Sequence, residues 1–190
     1  MRKRGMPTDP IQRASAVASD YEALQGLITL GAGVGLIVMA LASTPLYGAV
    51  LVAAAVPIGQ GYYFKKYGRV RQNSGQTWAA VGSAVVAAVV ACVGIMADAS
   101  LQLPVMLGPL TGAVALLVFG GLNYRHVGVT RIQLAAVAVL AVGALIPLTG
   151  LVDPDVFWRV DVWLIGLALI VFGAVDHHRL TNAMRPVADG

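Results

Sequence analysis

Long apolar stretches that end in aromatic and basic residues constrain the fold of this chain most strongly. In residues 61–71, an apolar run ends in tyrosine and phenylalanine and passes directly into lysine and arginine. A helix of roughly 20 apolar residues is long enough to cross the hydrocarbon core of a bilayer. The pattern is therefore typical of a transmembrane helix that leaves the membrane through an aromatic and basic interface.

Composition excludes an ordinary soluble domain. The 190 residues are 58% hydrophobic and 12% charged, whereas soluble domains carry about 25% charged residues. The mean hydropathy is +0.78. The single cysteine, Cys92, excludes an intramolecular disulfide and a cysteine metal cluster. We expect Cys92 to be a buried packing residue, because it lies inside an apolar run.

Several such apolar runs follow one another along the chain. They predict an all-α integral membrane bundle of six transmembrane helices. A cytoplasmic N-terminal segment is expected at residues 1–20, the membrane domain at residues 21–176 and a cytoplasmic tail at residues 177–190. The predicted spans are residues 24–44, 46–64, 77–96, 104–124, 131–148 and 157–175.

The predicted spans share a repeated pattern. Each odd span follows a polar pair of the kind that caps a helix N-terminus. These pairs are Ser19 with Glu22, Asn73 with Gln76, and Thr130 with Gln133. Each even span ends in glycine, polar or aromatic residues, followed by basic residues. The pattern predicts three repeated helical hairpins, all inserted in the same direction.

Positive charge lies on one side of this arrangement, and only Arg159 lies on the other. The basic residues on the first side are Arg2, Lys3, Arg4, Arg13, Lys65, Lys66, Arg69, Arg71, Arg125, Arg131, Arg179 and Arg185. Short loops rich in lysine and arginine remain in the cytoplasm. We therefore expect an inner-membrane protein with both termini cytoplasmic. Because the basic residues flank apolar runs, we expect the lipid bilayer as a partner, and we expect no nucleic acid.

An alternative interpretation treats residues 1–42 as a cleaved signal peptide with a basic start. Its polar leader is long and contains acidic residues, and its apolar run exceeds the usual signal core. We therefore favour an uncleaved first span.

The sequence shows no arrangement typical of catalysis. No ionisable side chain lies near the middle of a predicted span, and no nucleophile with a base, carboxylate pair or metal motif is visible. We expect no enzyme activity, no metal and no cofactor. An ion-coupled or proton-coupled transport mechanism has no visible carrier.

Three groups of residues remain as candidate sites. Contact with a partner protein or anionic lipid is predicted for Lys65, Lys66, Arg69, Arg71, Arg125 and Arg131. A polar cluster on the cytoplasmic face is predicted for His126, Asp176, His177 and His178. An outer vestibule is predicted for Arg159 and Asp161.

Two classes of function fit these features. The first is an accessory, scaffold or signalling protein that works through another membrane or cytosolic protein, favoured by the basic inner rim and the short outer loops. The alternative is a permease or channel for a small or apolar solute, favoured by the repeated hairpins and by Pro57 within a span. A continuous cavity lined by Thr29, Gln60, Ser83 or Thr111 is expected for transport, and a filled apolar axis for the accessory protein.

Overall fold

A computed structural model describes residues 20–21, 24–42, 46–67, 74–101 and 103–184. Within these ranges the chain forms α-helices and two short 3-10 turns, and no strand is present. The helices are α1 Gly26–Leu41, α2 Leu46–Tyr67, α3 Ser74–Leu101, α4 Leu107–Asn123, α5 Arg131–Gly143 and α6 Phe157–Ala183. The prediction of an all-α protein is confirmed.

Three helices are long and apolar enough to cross a membrane, over Leu46–Tyr67, Trp78–Leu101 and Pro154–Ala183. The remaining helices, α1, α4 and α5, are apolar but shorter, with 16, 17 and 13 residues respectively. At about 1.5 Å per residue, α5 is roughly 20 Å long, which is less than a hydrocarbon core of about 30 Å. These features are those of a membrane protein.

Helix α1 packs most extensively against α6 and then against α2. Glycines face each other across the first interface, Gly26 opposite Gly173 and Gly33 opposite Gly166. A Cβ atom built on any of these four glycines would collide with backbone of the facing helix. The absence of side chains therefore allows the two backbones to touch.

Gly35 and Gly48 bring α1 and α2 together in the same way, and Gly31 lies against Ala55. Gly31 and Gly35, four residues apart on α1, therefore permit close packing against α2. Pro57 lies inside α2, which continues past it to Tyr67.

The other helices form a second group in which α4 is central. Helix α4 packs against α3 at Gly94, and against α6 at Gly108 and Gly112. Its N-cap residue Met106 donates a backbone hydrogen bond of 2.8 Å to the carbonyl oxygen of Ala144, the C-cap residue of α5. These facing residues show that α4 runs parallel to α6 and antiparallel to α3 and α5. Helix α1 runs antiparallel to both α2 and α6. The six described helices therefore alternate in direction along the chain.

Helices α3 and α6 are longer than predicted, and this corrects two interpretations. Asp98, predicted in a loop, lies inside α3 and is 1% exposed. Asp176, His177 and His178, which follow the predicted end of the last span at residue 175, lie inside α6. In both cases the helix continues beyond the apolar run, because it packs against neighbouring helices that supply partners for its polar residues.

Cys92 was expected to be buried, but it is exposed on α3. The face of α3 that carries Cys92 also carries large exposed side chains, among them Val85 and Val89, which are 57% and 56% exposed. Cys92 therefore lies on an apolar outer surface. An apolar run alone does not identify which face of its helix is covered.

The capping pairs have different outcomes. Thr130 and Gln133 form a complete capping box at the start of α5, as predicted. Ser19, Glu22 and Asn73 lie outside the described residues.

The alternation of the helices defines two ends of the bundle. The basic end contains the C-termini of α2, α4 and α6 and carries Lys65, Lys66, Arg125, Arg131 and Arg179. The acidic end contains their N-termini and carries Asp98, Asp153, Asp155 and Asp161, with Arg159.

Candidate functional site

Buried aspartates lie at both ends of the bundle, and each is surrounded differently. At the basic end, Asp20 is 6% exposed and lies against the loop between α4 and α5. Its carboxylate accepts hydrogen bonds from the backbone N–H groups of His126 and Val127, at 2.9 and 3.0 Å. His126 Nδ1 lies 2.9 Å from the other oxygen. Asp20 thus fixes the α4–α5 loop to the segment before α1.

Asp176, 1% exposed, is the second buried carboxylate of the basic end. The Tyr124 hydroxyl donates to one of its oxygens at 2.5 Å, and Gln133 Nε2 donates to the other at 2.9 Å. The ordinary pKa of a tyrosine hydroxyl is about 10, so the group is protonated at neutral pH. Tyr124 therefore stays protonated and remains a hydrogen-bond donor.

Gln133 joins this contact to the start of α5. Its side-chain oxygen accepts from the Thr130 backbone N–H at 2.9 Å, while its amide nitrogen reaches Asp176. Gln133 is 0% exposed. One side chain therefore caps α5 and binds α6.

Arg179 completes the network around the loop. Its guanidinium donates to the carbonyl oxygens of Val127 and Gly128, at 2.5 and 2.9 Å. Gly128 has a φ of 68°, which favours glycine at this turn. We call Asp20, Tyr124, Gln133, Asp176 and Arg179 the inner network, because they hold residues 124–130 in place from three segments of the chain.

Tyr63 forms a separate contact between α1, α2 and α6. It is 0% exposed, and its hydroxyl accepts from the Leu27 backbone N–H at 3.0 Å. The same hydroxyl shares a hydrogen bond of 2.8 Å with His177 Nδ1. Tyr63 thereby accepts a hydrogen bond from a backbone N–H of the first turn of α1. The N-cap residue, Gln25, gives this turn no capping hydrogen bond from its side chain.

The structure places the predicted polar cluster at the basic end but does not gather its members around one point. His126 contacts Asp20, Asp176 contacts Tyr124, and His177 contacts Tyr63, whereas His178 lies 2.8 Å from Asn182 of its own helix. Within the described residues, no group of three metal-ligating side chains converges. The four residues act in separate contacts.

The predicted basic surface is partly described. Lys65, Lys66, Arg125 and Arg131 are exposed at the basic end. Lys66 donates to Tyr62 at 2.8 Å and lies over the Tyr67 ring. Arg69 and Arg71 lie outside the described residues.

At the acidic end, Asp98 caps α4. Its two oxygens accept from the backbone N–H groups of Leu107 and Gly108, at 2.8 and 2.6 Å. Asp161 lies beside it and is 0% exposed. Among the described residues, neither oxygen of Asp161 has a hydrogen-bond donor.

Arg159 and Asp161, predicted to line a vestibule together, point to different surroundings. Arg159 is exposed, and its guanidinium lies 5.3 Å from the centre of the Trp158 ring. Asp161 is buried against α4. No ion pair joins them in the part of the chain that the structure describes.

An apolar groove of about 580 Å³ lies between α3 and α4 and is open to the outer surface of the helix bundle. Its walls include Val86, Val90 and Val118, and Ser83 is the polar residue among them. Ser83 donates a hydrogen bond to the Ala80 carbonyl oxygen, and Thr111 donates to that of Leu107, so both hydroxyls bind the backbone of their own helices.

Sequence inspection missed six residues of these sites, namely Asp20, Tyr63, Asp98, Tyr124, Gln133 and Arg179. Only Gln133 gave a specific signal, as part of a capping pair. The others were assigned to loops, interfaces or leader because their partners lie 9 to 114 positions away in the chain.

Comparison with known proteins gives no relative: no protein-family model, curated protein or solved structure matches this chain.

Proposed function

We propose that this chain is a multi-pass inner-membrane protein without catalytic machinery that acts through partners, as an accessory, scaffold or signalling component. In this proposal the six helices cross the membrane as three hairpins, and the basic end faces the cytoplasm. The observation that carries the proposal is the construction of the basic end, where buried contacts hold an exposed basic surface in a fixed position.

The alternating directions of the helices support the proposed topology. An even number of crossings returns the chain to the side from which it started, so the basic residues of successive hairpins meet at one end. A cluster of lysine and arginine in short loops is typical of the cytoplasmic side. The aromatic residues Tyr62, Tyr63 and Tyr67 at the same end fit the interface between lipid and water.

The inner network supports a docking role for this end. A loop used only to connect two helices needs few buried partners, whereas residues 124–130 are held by Asp20, Asp176 and Arg179. Because the loop is held in place, Arg125 and Arg131 project from defined positions. A partner with an acidic surface would meet these charges without first ordering them.

A second candidate is a permease for a small apolar solute, favoured by the groove between α3 and α4. Its volume of about 580 Å³ lies within the range of ligand pockets, roughly 300–1,000 Å³. The groove opens on the outer surface of the bundle, so in this proposal the solute would enter from the lipid phase. Of the four residues expected to line a transport cavity, Ser83 lies in this groove, whereas Thr29, Gln60 and Thr111 do not line it.

The experiment replaces Lys65, Lys66, Arg125 and Arg131 by glutamine in the full chain, purified from native membranes in a mild detergent. Each basic residue near a charged surface contributes about 1 kcal/mol, so we expect recovery of protein partners to fall by at least tenfold. Arg159→Gln at the acidic end is the matched control and should leave recovery unchanged. Mass spectrometry of co-purified proteins and lipids measures the result.

Two outcomes would contradict the docking role. Equal recovery of protein partners from the quadruple variant and the control would remove the basic surface from the proposal. A loss of anionic lipid alone, with protein partners retained, would show that the surface binds headgroups.

A further inference from the structure

The contact between Asp98 and Asp161 at the acidic end is unusual for two buried carboxylates. Gly108 touches both residues: its N–H donates to Asp98 Oδ2, and a Cβ built on it would lie 2.7 Å from Asp161 Cγ. A glycine at position 108 therefore provides the space that the Asp161 carboxyl group occupies. The contact is enclosed by α3, α4 and α6.

The two carboxyl groups differ in their hydrogen bonds. Asp98 receives two backbone N–H donors from the first turn of α4, an arrangement that stabilises an ionised carboxylate. Asp161 receives none from the described residues. A buried carboxylate without a donor is costly, and it is costlier beside a second negative charge.

The charged groups around the contact do not offset this cost. Helices α3 and α4 bring no charged residue other than Asp98, and α5 bears its only charge, Arg131, at the basic end. On α6, Arg159 is exposed and turned to Trp158, and the 3-10 turn before α6 adds only the exposed Asp155. Asp98 is the titratable group that faces Asp161.

We propose that Asp98 and Asp161 form a proton-binding site, in which Asp161 carries the proton and its O–H donates to the Asp98 carboxylate. Binding converts one carboxylate and one proton into a carboxylic acid. The O–H then supplies the donor that the pair lacks, and one negative charge remains, stabilised by the N-terminus of α4. This site does not depend on the proposed docking role of the basic end.

The site also gives the bundle a response to proton concentration at its acidic end. Loss of the proton places two like charges in contact between α3 and α6, where α4 begins. We expect the contact of α4 with α6 at Gly108 to loosen, because repulsion moves Asp161 away from Asp98.

The test is infrared spectroscopy of the full chain in lipid vesicles. A protonated aspartic acid has a carbonyl stretch that is absent from ionised carboxylates and that shifts in heavy water. We expect this band at neutral pH in the natural sequence and its loss in Asp161→Asn. Asp155→Asn, which changes an exposed acid on the 3-10 turn before the same helix, is the matched control and should keep the band.

Asp98→Asn separates a proton site from a merely structural contact. The asparagine amide donates to Asp161 and removes the like charge, so the band should disappear at a lower pH than in the natural sequence. Identical spectra for the natural sequence and Asp161→Asn would overturn the proposal. Loss of the band on addition of calcium at constant pH would also overturn it, by showing that the pair prefers a metal ion.

Discussion

At the residue scale, the basic end depends on polar side chains that are almost completely buried. Tyr124 is 4% exposed and Asp176 is 1% exposed, so neither can exchange its partner for water. The carboxylate of Asp176 has Tyr124 and Gln133 as donors. Removal of one donor leaves a buried charge only partly satisfied, which is costly in a medium of low dielectric constant.

Replacement of Tyr124 by phenylalanine should therefore destabilise the protein by about 1–3 kcal/mol, because the ring is retained and only the hydrogen bond to Asp176 is lost. Thermal unfolding in detergent, followed by circular dichroism, measures the change. Tyr62→Phe is the control, since among the described residues the hydroxyl of Tyr62 accepts a hydrogen bond from the exposed Lys66. Equal unfolding temperatures for the two variants would argue against a stabilising role for the Tyr124 hydroxyl.

At the element scale, glycines decide which helices touch. Gly26, Gly33, Gly166 and Gly173 allow α1 and α6 to pack backbone to backbone, although these helices are the first and last of those described. Among the described residues, nothing lies within 4 Å of a Cβ built on Gly61, Gly82 or Gly121, so these glycines serve no close contact there. Glycine spacing alone does not separate these two classes, because it does not show which face of a helix meets a neighbour.

The variant Gly173→Ala should destabilise the bundle by about 1–3 kcal/mol or more, because the new methyl group meets backbone atoms of Gly26 and Leu30 that cannot turn away. Gly121→Ala is the matched control in open space. It should be neutral or stabilising by up to about 1 kcal/mol, as alanine favours helix. Unfolding temperatures in detergent compare the two, and an equal loss in both would show that the α1–α6 contact is not limited by space.

At the scale of the whole molecule, the two ends should lie on opposite sides of the membrane. The prediction is tested with single cysteines in a Cys92→Ala background, one replacing Arg131 at the basic end and one replacing Leu151, which is 86% exposed at the acidic end. A membrane-impermeant maleimide should label the Leu151→Cys variant in intact cells, and the Arg131→Cys variant only after permeabilisation. Labelling of both variants in intact cells, or the reverse pattern, would contradict the proposed orientation.

The order of the helices could be predicted from the sequence to within a few residues at most boundaries. Apolar runs gave six helices, and the Thr130–Gln133 pair marked the start of α5 correctly. These signals are local, since a run of apolar residues and a capping box depend on neighbours within one or two turns. The ends of α3, α5 and α6 were the exceptions: polar residues continue α3 and α6, whereas α5 ends at Gly143, well before the predicted end at residue 148.

The sequence by itself determined an apolar, all-helical chain whose basic residues lie at one end, because hydropathy and charge are properties of each segment alone. Only the tertiary structure decided that Asp98 lies beside Asp161, that Asp176 is held by Tyr124, and which glycines face a neighbour. Whether a carboxylate is solvated or buried depends on segments distant in the chain. The energy of a buried charge depends on the donors that those segments bring, so no local pattern specifies it.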